Sequence, residues 1–123
     1  MVEITFSGLS MHMEVKGFDK LWSFKGHLDL PLAHIRDVRA DLAIAHGWWH
    51  GIRAPGTSIP GVIRAGTFYK DGRRMFWDVH HPEKTIVIEL HDDEYDQLIV
   101  EVAEPAETVQ KILHVLATRR PTP

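Results

Sequence analysis

The sequence predicts a mainly-β domain: an antiparallel barrel or sandwich of about seven strands, followed by one C-terminal helix. Three observations carry this. Thr67 to Trp77 reads as two β-prone runs joined by Asp71-Gly72, a pair that tolerates the positive φ of a tight hairpin turn. Further turn signals at His81-Pro82-Glu83-Lys84 and His91-Asp92-Asp93-Glu94 space strands of about eight residues as in an antiparallel meander running from Arg64 to Val102. After Ala103 the apolar period changes from that of a strand to that of a helix.

Taken in order, Ser10 to Gly17 alternates as a strand, with Met11, Met13 and Val15 on one face and His12, Glu14 and Lys16 on the other. Gly17-Phe18-Asp19-Lys20 is a turn. A second strand begins at Leu21, Trp22 and Phe24, breaks at Gly26 and resumes through His27-Leu28-Asp29-Leu30. Pro31 cannot donate a ladder hydrogen bond and ends it. In Ile35 to Leu42 the spacing of Ile35, Val38 and Leu42 also fits a helix, but the stretch is short and lies between extended neighbours, so it reads as a third strand. In the meander, Met75, Trp77 and Val79 are expected to share one inward face with Ile86, Ile88, Leu90, Leu98, Val100 and Val102, while Arg74, Asp78, Glu89 and Glu101 face out. Pro105 suits the first turn of the closing helix and Glu107 its N-terminal end. Val109, Ile112, Leu113 and Leu116 form its apolar stripe, Arg119 and Arg120 suit its C-terminus, and Pro121 stops it.

A chain of 123 residues reads as a single domain, residues 1–123, with an ordinary hydrophobic core. It has no cysteine, which excludes disulfides, thiolate metal sites and cysteine nucleophiles and suits a reducing cytoplasm. No run approaches the roughly 18 apolar residues of a membrane span, and the start lacks the pattern of a signal peptide. The net charge is -3 and the 14 Lys and Arg residues are scattered, which argues against nucleic acid as a partner. The expected location is cytoplasmic.

Between Ala45 and Gly66 the periodicity is lost, and five glycines, two prolines, two tryptophans and two histidines crowd together. Long connections of this kind are often functional. Within it, Trp48 and Trp49 cannot both easily enter one core, so one is a candidate anchor for a partner, a ligand or a second copy of the chain.

The chain resembles the pleckstrin-homology-like (PH-like) domains, specifically their small stand-alone bacterial members. The residues that carry the resemblance are Leu30-Pro31-Leu32-Ala33-His34-Ile35, Gly66-Thr67-Phe68, Phe76-Trp77-Asp78-Val79 and the closing helix. The resemblance implies a PH-like antiparallel β-barrel capped by that helix, and it covers nearly the whole chain in element order. The chain is also similar to short bacterial proteins that share the Arg53-Ala54-Pro55-Gly56-Thr57 loop and Tyr95-Asp96, and that likeness implies no activity.

Other chemistry is weaker. Inositol phosphates need converging Lys and Arg, and between the first strands only Lys16, Lys20 and Lys25 are present, with Asp19 among them; phosphoinositide lipid is not the expected ligand. His46 and His50, with His80, His81 and a carboxylate such as Asp78, have the residue types of a zinc site but not its geometry, since adjacent strand residues point to opposite faces. Ser58 and Thr57 lie in no nucleophile motif, and Asp92-Asp93-Glu94 reads as a solvated turn. The expectation is therefore a non-enzymatic binding or self-association module with no cofactor, no metal and no catalytic residue. Its partner is itself or another protein, and its contact residues are Trp48, Trp49, His50, Arg53 and His80. The alternative is a small-molecule or enzymatic pocket beside the same loop.

Overall fold

The computed structural model describes residues 2–16, 27–41, 64–79 and 81–119. Eight strands, β1 (Val2–Ser7), β2 (Ser10–Val15), β3 (His27–Pro31), β4 (Ile35–Ala40), β5 (Arg64–Lys70), β6 (Arg73–Val79), β7 (Thr85–Leu90) and β8 (Gln97–Glu101), precede one helix, α1 (Pro105–Arg119). The protein is thus mainly β with a C-terminal helix. The strands form two sheets, β1-β2-β3 and β4-β7-β8-β6-β5, and no closed barrel is formed among the described residues. β1 has no counterpart among the strands expected from the sequence.

The first sheet is built by alternation. Gly8 at φ +58 and Leu9 join β1 to β2 as a two-residue hairpin with Ser7 opposite Ser10. A left-handed first central residue followed by a right-handed second is the type II′ turn that matches strand twist. Met11, Met13 and Val15 are buried and face Leu30 and Leu28 of β3, while His12, Glu14 and Asp29 lie on the outer face. The chain then crosses to the second sheet through a single 3-10 turn, Leu32–His34, anchored where the Leu32 N–H donates to the Leu9 carbonyl at 2.8 Å.

The second sheet holds the expected hairpin and an unexpected order. Asp71 at φ +53 and Gly72 at φ +76 give the type I′ turn that Asp-Gly favours, pairing Lys70 with Arg73. β6 does not pair with β7, however. β8 lies between them, parallel to β6 with Trp77 opposite Ile99, and antiparallel to β7 with Val87 opposite Ile99. The antiparallel meander is corrected accordingly: the turn after β6 carries the chain past one strand position, and β8 fills the gap.

The facing of side chains changes with it. Met75, Trp77, Val79, Val87 and Ile99 form one buried cluster, with Phe68 against it. Phe76, Ile86, Ile88, Leu90, Leu98 and Val100 belong to another, shared with the inner face of the first sheet and with Ile112 and Val115 of α1. Met75, Trp77 and Val79 therefore do not share a face with Ile86, Ile88 and Leu90. Both faces of this sheet are buried, and strands buried on both faces read as continuous apolar runs with no outward alternation to follow. For the same reason Asp78 and Glu101, expected to face out, are 0% and 2% exposed.

α1 starts as expected. Glu104 accepts the Thr108 N–H at 2.9 Å and Pro105 takes the first helical position, where its missing N–H costs nothing. Ile112 and Val115 are its buried residues, with Val109 and Leu116 partly so, and Leu113 is exposed, so the stripe is rotated from the expected one. It packs chiefly on β4 and also on β7.

Candidate functional site

Trp48, Trp49, His50, Arg53 and His80, the contact residues expected from the sequence, all lie outside the described residues, as do Lys20 and Lys25. Lys16 is described, and its ammonium lies 3.9 Å from Glu3 and 3.7 Å from Glu14, so it already serves two carboxylates.

The candidate site is a groove between β1 and the start of α1. Its cavity volume is about 290 Å³. The floor is apolar, from Val2, Ile4 and Phe6 on one side and Val102 and Ile112 on the other, and Glu104, Glu107 and Lys111 form its charged rim, with Glu3 also in its lining. Alternation in Val2-Glu3-Ile4-Thr5-Phe6-Ser7 turns the three apolar side chains to the groove and core while Glu3, Thr5 and Ser7 are exposed. Val2 is buried outright, whereas Ile4 and Phe6 are only partly covered. The Lys111 ammonium sits 5.7 Å from the centre of the Phe6 ring, a cation–π contact that ties helix to strand across the groove. The alternation in β1 is the signal by which the sequence announces this strand.

The backbone of β1 adds hydrogen-bonding capacity. Among the described residues it pairs only with β2. A two-residue hairpin closes on a pair that exchanges both bonds, here Ser7 with Ser10, and the alternation continues through Thr5 with His12 and Glu3 with Glu14. The N–H and C=O groups of Val2, Ile4 and Phe6 consequently point away from β2, along the edge that no described strand covers. The site is therefore an edge strand beside a small apolar trough.

Comparison with known proteins finds no match. No family model, no curated protein and no solved structure corresponds to this chain.

Histidine–carboxylate pairs mark three other places. His12 bonds through Nδ1 to Asp29 on the outer face of the first sheet, with His27 stacked 5.6 Å from His12; the His12 hydrogen bond holds the Asp29 carboxyl below its ordinary range. His34 Nδ1 donates to Asp93 at 2.8 Å, and Asp93 also accepts the Glu94 N–H at 2.7 Å. Asp93 is thereby drawn in, its side chain 13% exposed, and is not the solvated turn carboxylate expected. Glu101 accepts from the His81 N–H at 2.7 Å and from His81 Nδ1 at 3.1 Å, a clamp on the turn that leads into β7. Asp78 pairs with Val100 in the ladder, so its side chain leaves the sheet on the face opposite to Glu101. Among the described residues no three His, Asp or Glu side chains converge into a metal-binding group. None of these pairs borders the groove.

Proposed function

We propose that the protein is a non-enzymatic binding module that takes an extended segment of polypeptide along β1, with the segment's apolar side chains resting in the trough against α1. The observation that supports this most directly is that one edge of β1 has no neighbouring strand among the described residues and lies beside an apolar cavity. Strand addition at such an edge draws affinity from main-chain hydrogen bonds and specificity from pockets for alternate side chains. A volume of about 290 Å³ sits at the lower end of the range for small-molecule sites, roughly 300–1,000 Å³, and accommodates a few side chains. Glu104 and Glu107 at the helix start, against Lys111, favour a segment that carries a basic residue. The resemblance to PH-like domains agrees with a binding role, and we place the protein in a bacterial cytoplasm on that resemblance and on the lack of cysteine.

Panning a displayed library of random peptides against the immobilised chain, then titrating a selected peptide while recording amide NMR shifts, tests the reading. Shifts confined to residues 2–7 and 103–112 are expected. Binders that perturb only other surfaces would discard the groove as the contact site.

A further inference from the structure

We infer that the segment taken along β1 is the β1 strand of a second copy, paired antiparallel about a two-fold axis at Ile4. The inference rests on the strand-addition reading above and adds the identity of the partner.

Three features of the edges carry it. The other edge strands are each blunted, whereas β1 is not. β3 ends in Pro31, and β4 shifts register between Ile35 and Asp37 and carries Arg36, Asp37 and Arg39. β5 is bounded by Arg64 and Lys70 and contains Gly66 at φ +124. Proline, irregular register and charge are the devices by which sheets prevent edge-to-edge pairing. β1 has no proline and no register shift, and one charged residue, Glu3.

The strand is also self-complementary. With Ile4 opposite Ile4 of the partner subunit, Val2 faces the partner's Phe6, and Phe6 faces the partner's Val2. These are the residues whose N–H and C=O groups point outward, so every outward donor from Val2 to Phe6 meets an outward acceptor. Glu3 then lies opposite the partner's Thr5, twice by symmetry, and no like charges meet. Moving the axis to Glu3 would oppose two carboxylates and shorten the ladder, and moving it to Thr5 would leave Val2 unpaired. Like charges directly opposite destabilise a strand pair, so the axis at Ile4 is the favoured one. An isologous contact of this kind closes on itself and gives a dimer rather than a filament.

The partner's apolar side chains leave the new strand on the same face as Val2, Ile4 and Phe6, because directly opposed residues in a ladder share a face. They therefore fall over the trough beside α1. Two short strands and a shallow trough make a small interface, and small interfaces belong to weak, transient assemblies, so the dimer is concentration-dependent.

The test uses the full chain and exposed positions that leave the core untouched. Light-scattering mass is measured over a dilution series for the wild type, T5E and T5K. T5E sets glutamate opposite Glu3 of the partner subunit at both symmetric pairs and is expected to weaken the dimer roughly tenfold; T5K opposes lysine to glutamate and is expected to strengthen it by a similar factor. The natural chain contains no cysteine, so E3C and T5C give a clean check of register. On the outer side these positions form a non-hydrogen-bonded pair, about 4.5 Å apart at Cα, near the short end of the disulfide range. Oxidising an equimolar mixture of E3C and T5C should give the mixed covalent dimer well beyond the roughly twofold excess over either homodimer that random pairing gives. A monomer at every concentration, a dimer indifferent to both Thr5 substitutions, or crosslinked species in no more than the statistical proportion of about 1:2:1 would overturn the inference. If the chain stays monomeric but a selected peptide shifts residues 2–7, strand addition stands and the second copy is excluded. If a crosslinked dimer forms in register while no peptide binds, the groove takes its own copy alone.

Discussion

The two sheets solve the problem of burial differently. The three-stranded sheet buries one face, with Met11, Met13, Val15, Leu28 and Leu30 inside and His12, Glu14 and Asp29 outside. The five-stranded sheet buries both, with Phe76, Ile86, Ile88, Leu98 and Val100 on one side and Met75, Trp77, Val79, Val87 and Ile99 on the other. A half-buried sheet tolerates polar change on its outer face, and a doubly buried one has no tolerant face along its central strands. Among the described residues β1 of the first sheet has one neighbour, β2, while β7, β8 and β6 of the second have two each.

The largest expected effect separates the two faces directly. Val87→Asp places an uncompensated charge in the second cluster and should cost about 3–5 kcal/mol, whereas Glu14→Gln on the outer face of β2 should change stability by less than about 0.5 kcal/mol. Urea unfolding of both variants measures this, and a mild Val87→Asp would mean that the second face is not a core. Met13→Ala, fully buried in the smaller sheet, comes next at about 2–4 kcal/mol. Its loss should fall on the cluster shared by both sheets, so a single cooperative transition is expected, and two separate transitions in a calorimetric scan would show that the sheets unfold independently.

The hairpin turns give a smaller and more even comparison. A methyl group added at Gly8 or Gly72 meets no atom within 4 Å, so Gly8→Ala and Gly72→Ala report backbone strain alone, about 1–2 kcal/mol each. A thermal melt showing no change for either would mean that the turn relaxes to negative φ without cost.

The smallest effect is electrostatic. Glu89 accepts from Arg39 at 3.0 Å, Arg73 at 2.8 Å and Gln97 at 2.8 Å. Burial pushes its carboxyl up, but the hydrogen bonds from Arg73, Arg39 and Gln97 outweigh that and hold it below the ordinary value. Burial likewise pushes Arg39 down, and its bond to Glu89 holds it above its ordinary value. A carboxyl lowered in the folded state stabilises the fold above its unfolded pKa, and that contribution is lost as pH falls through the folded value. Wild type should therefore exceed Glu89→Gln by about 1 kcal/mol or less at pH 7, allowing for partial exposure. The gap should shrink as pH falls below the ordinary carboxyl value of 4.5, as read by urea midpoints at pH 7 and in acid. A gap that widens in acid would reverse the sign of the argument.

The same contrast between sheets explains what the sequence made legible. The facing of β2 and of Leu28 and Leu30 was readable because alternation survives where one face meets water, and Asp71-Gly72 was readable because its turn needs positive φ. The facing of β6 to β8 was not, because Thr85 to Leu90 and Gln97 to Glu101 are apolar on both sides and a period of two leaves no trace there. The order of the strands was hidden for another reason. A short turn between two runs implies antiparallel neighbours, and nothing local in His81 to Lys84 signals that a later strand will enter the space. Of the candidate site, β1 carried a readable alternation in Val2 to Ser7, but its free edge depends on what lies beside it, which no residue of β1 encodes. The tryptophan loop drew attention by composition, while Val2, Ile4 and Phe6 look ordinary.

The position of β8 also sets a timetable for folding. β6 and β7 are complete in the chain before β8 emerges, and each must wait with an open, apolar edge until Gln97 to Glu101 arrives between them. The centre of the larger sheet is thus closed by its last strand, and a chain that stops before Gln97 leaves β6, paired with β5, and β7, paired with β4, each with one open edge. Non-local closure of this kind slows folding, and exposed strand edges invite aggregation meanwhile. Truncation just before β8 should consequently turn the protein from a folding chain into an aggregating one.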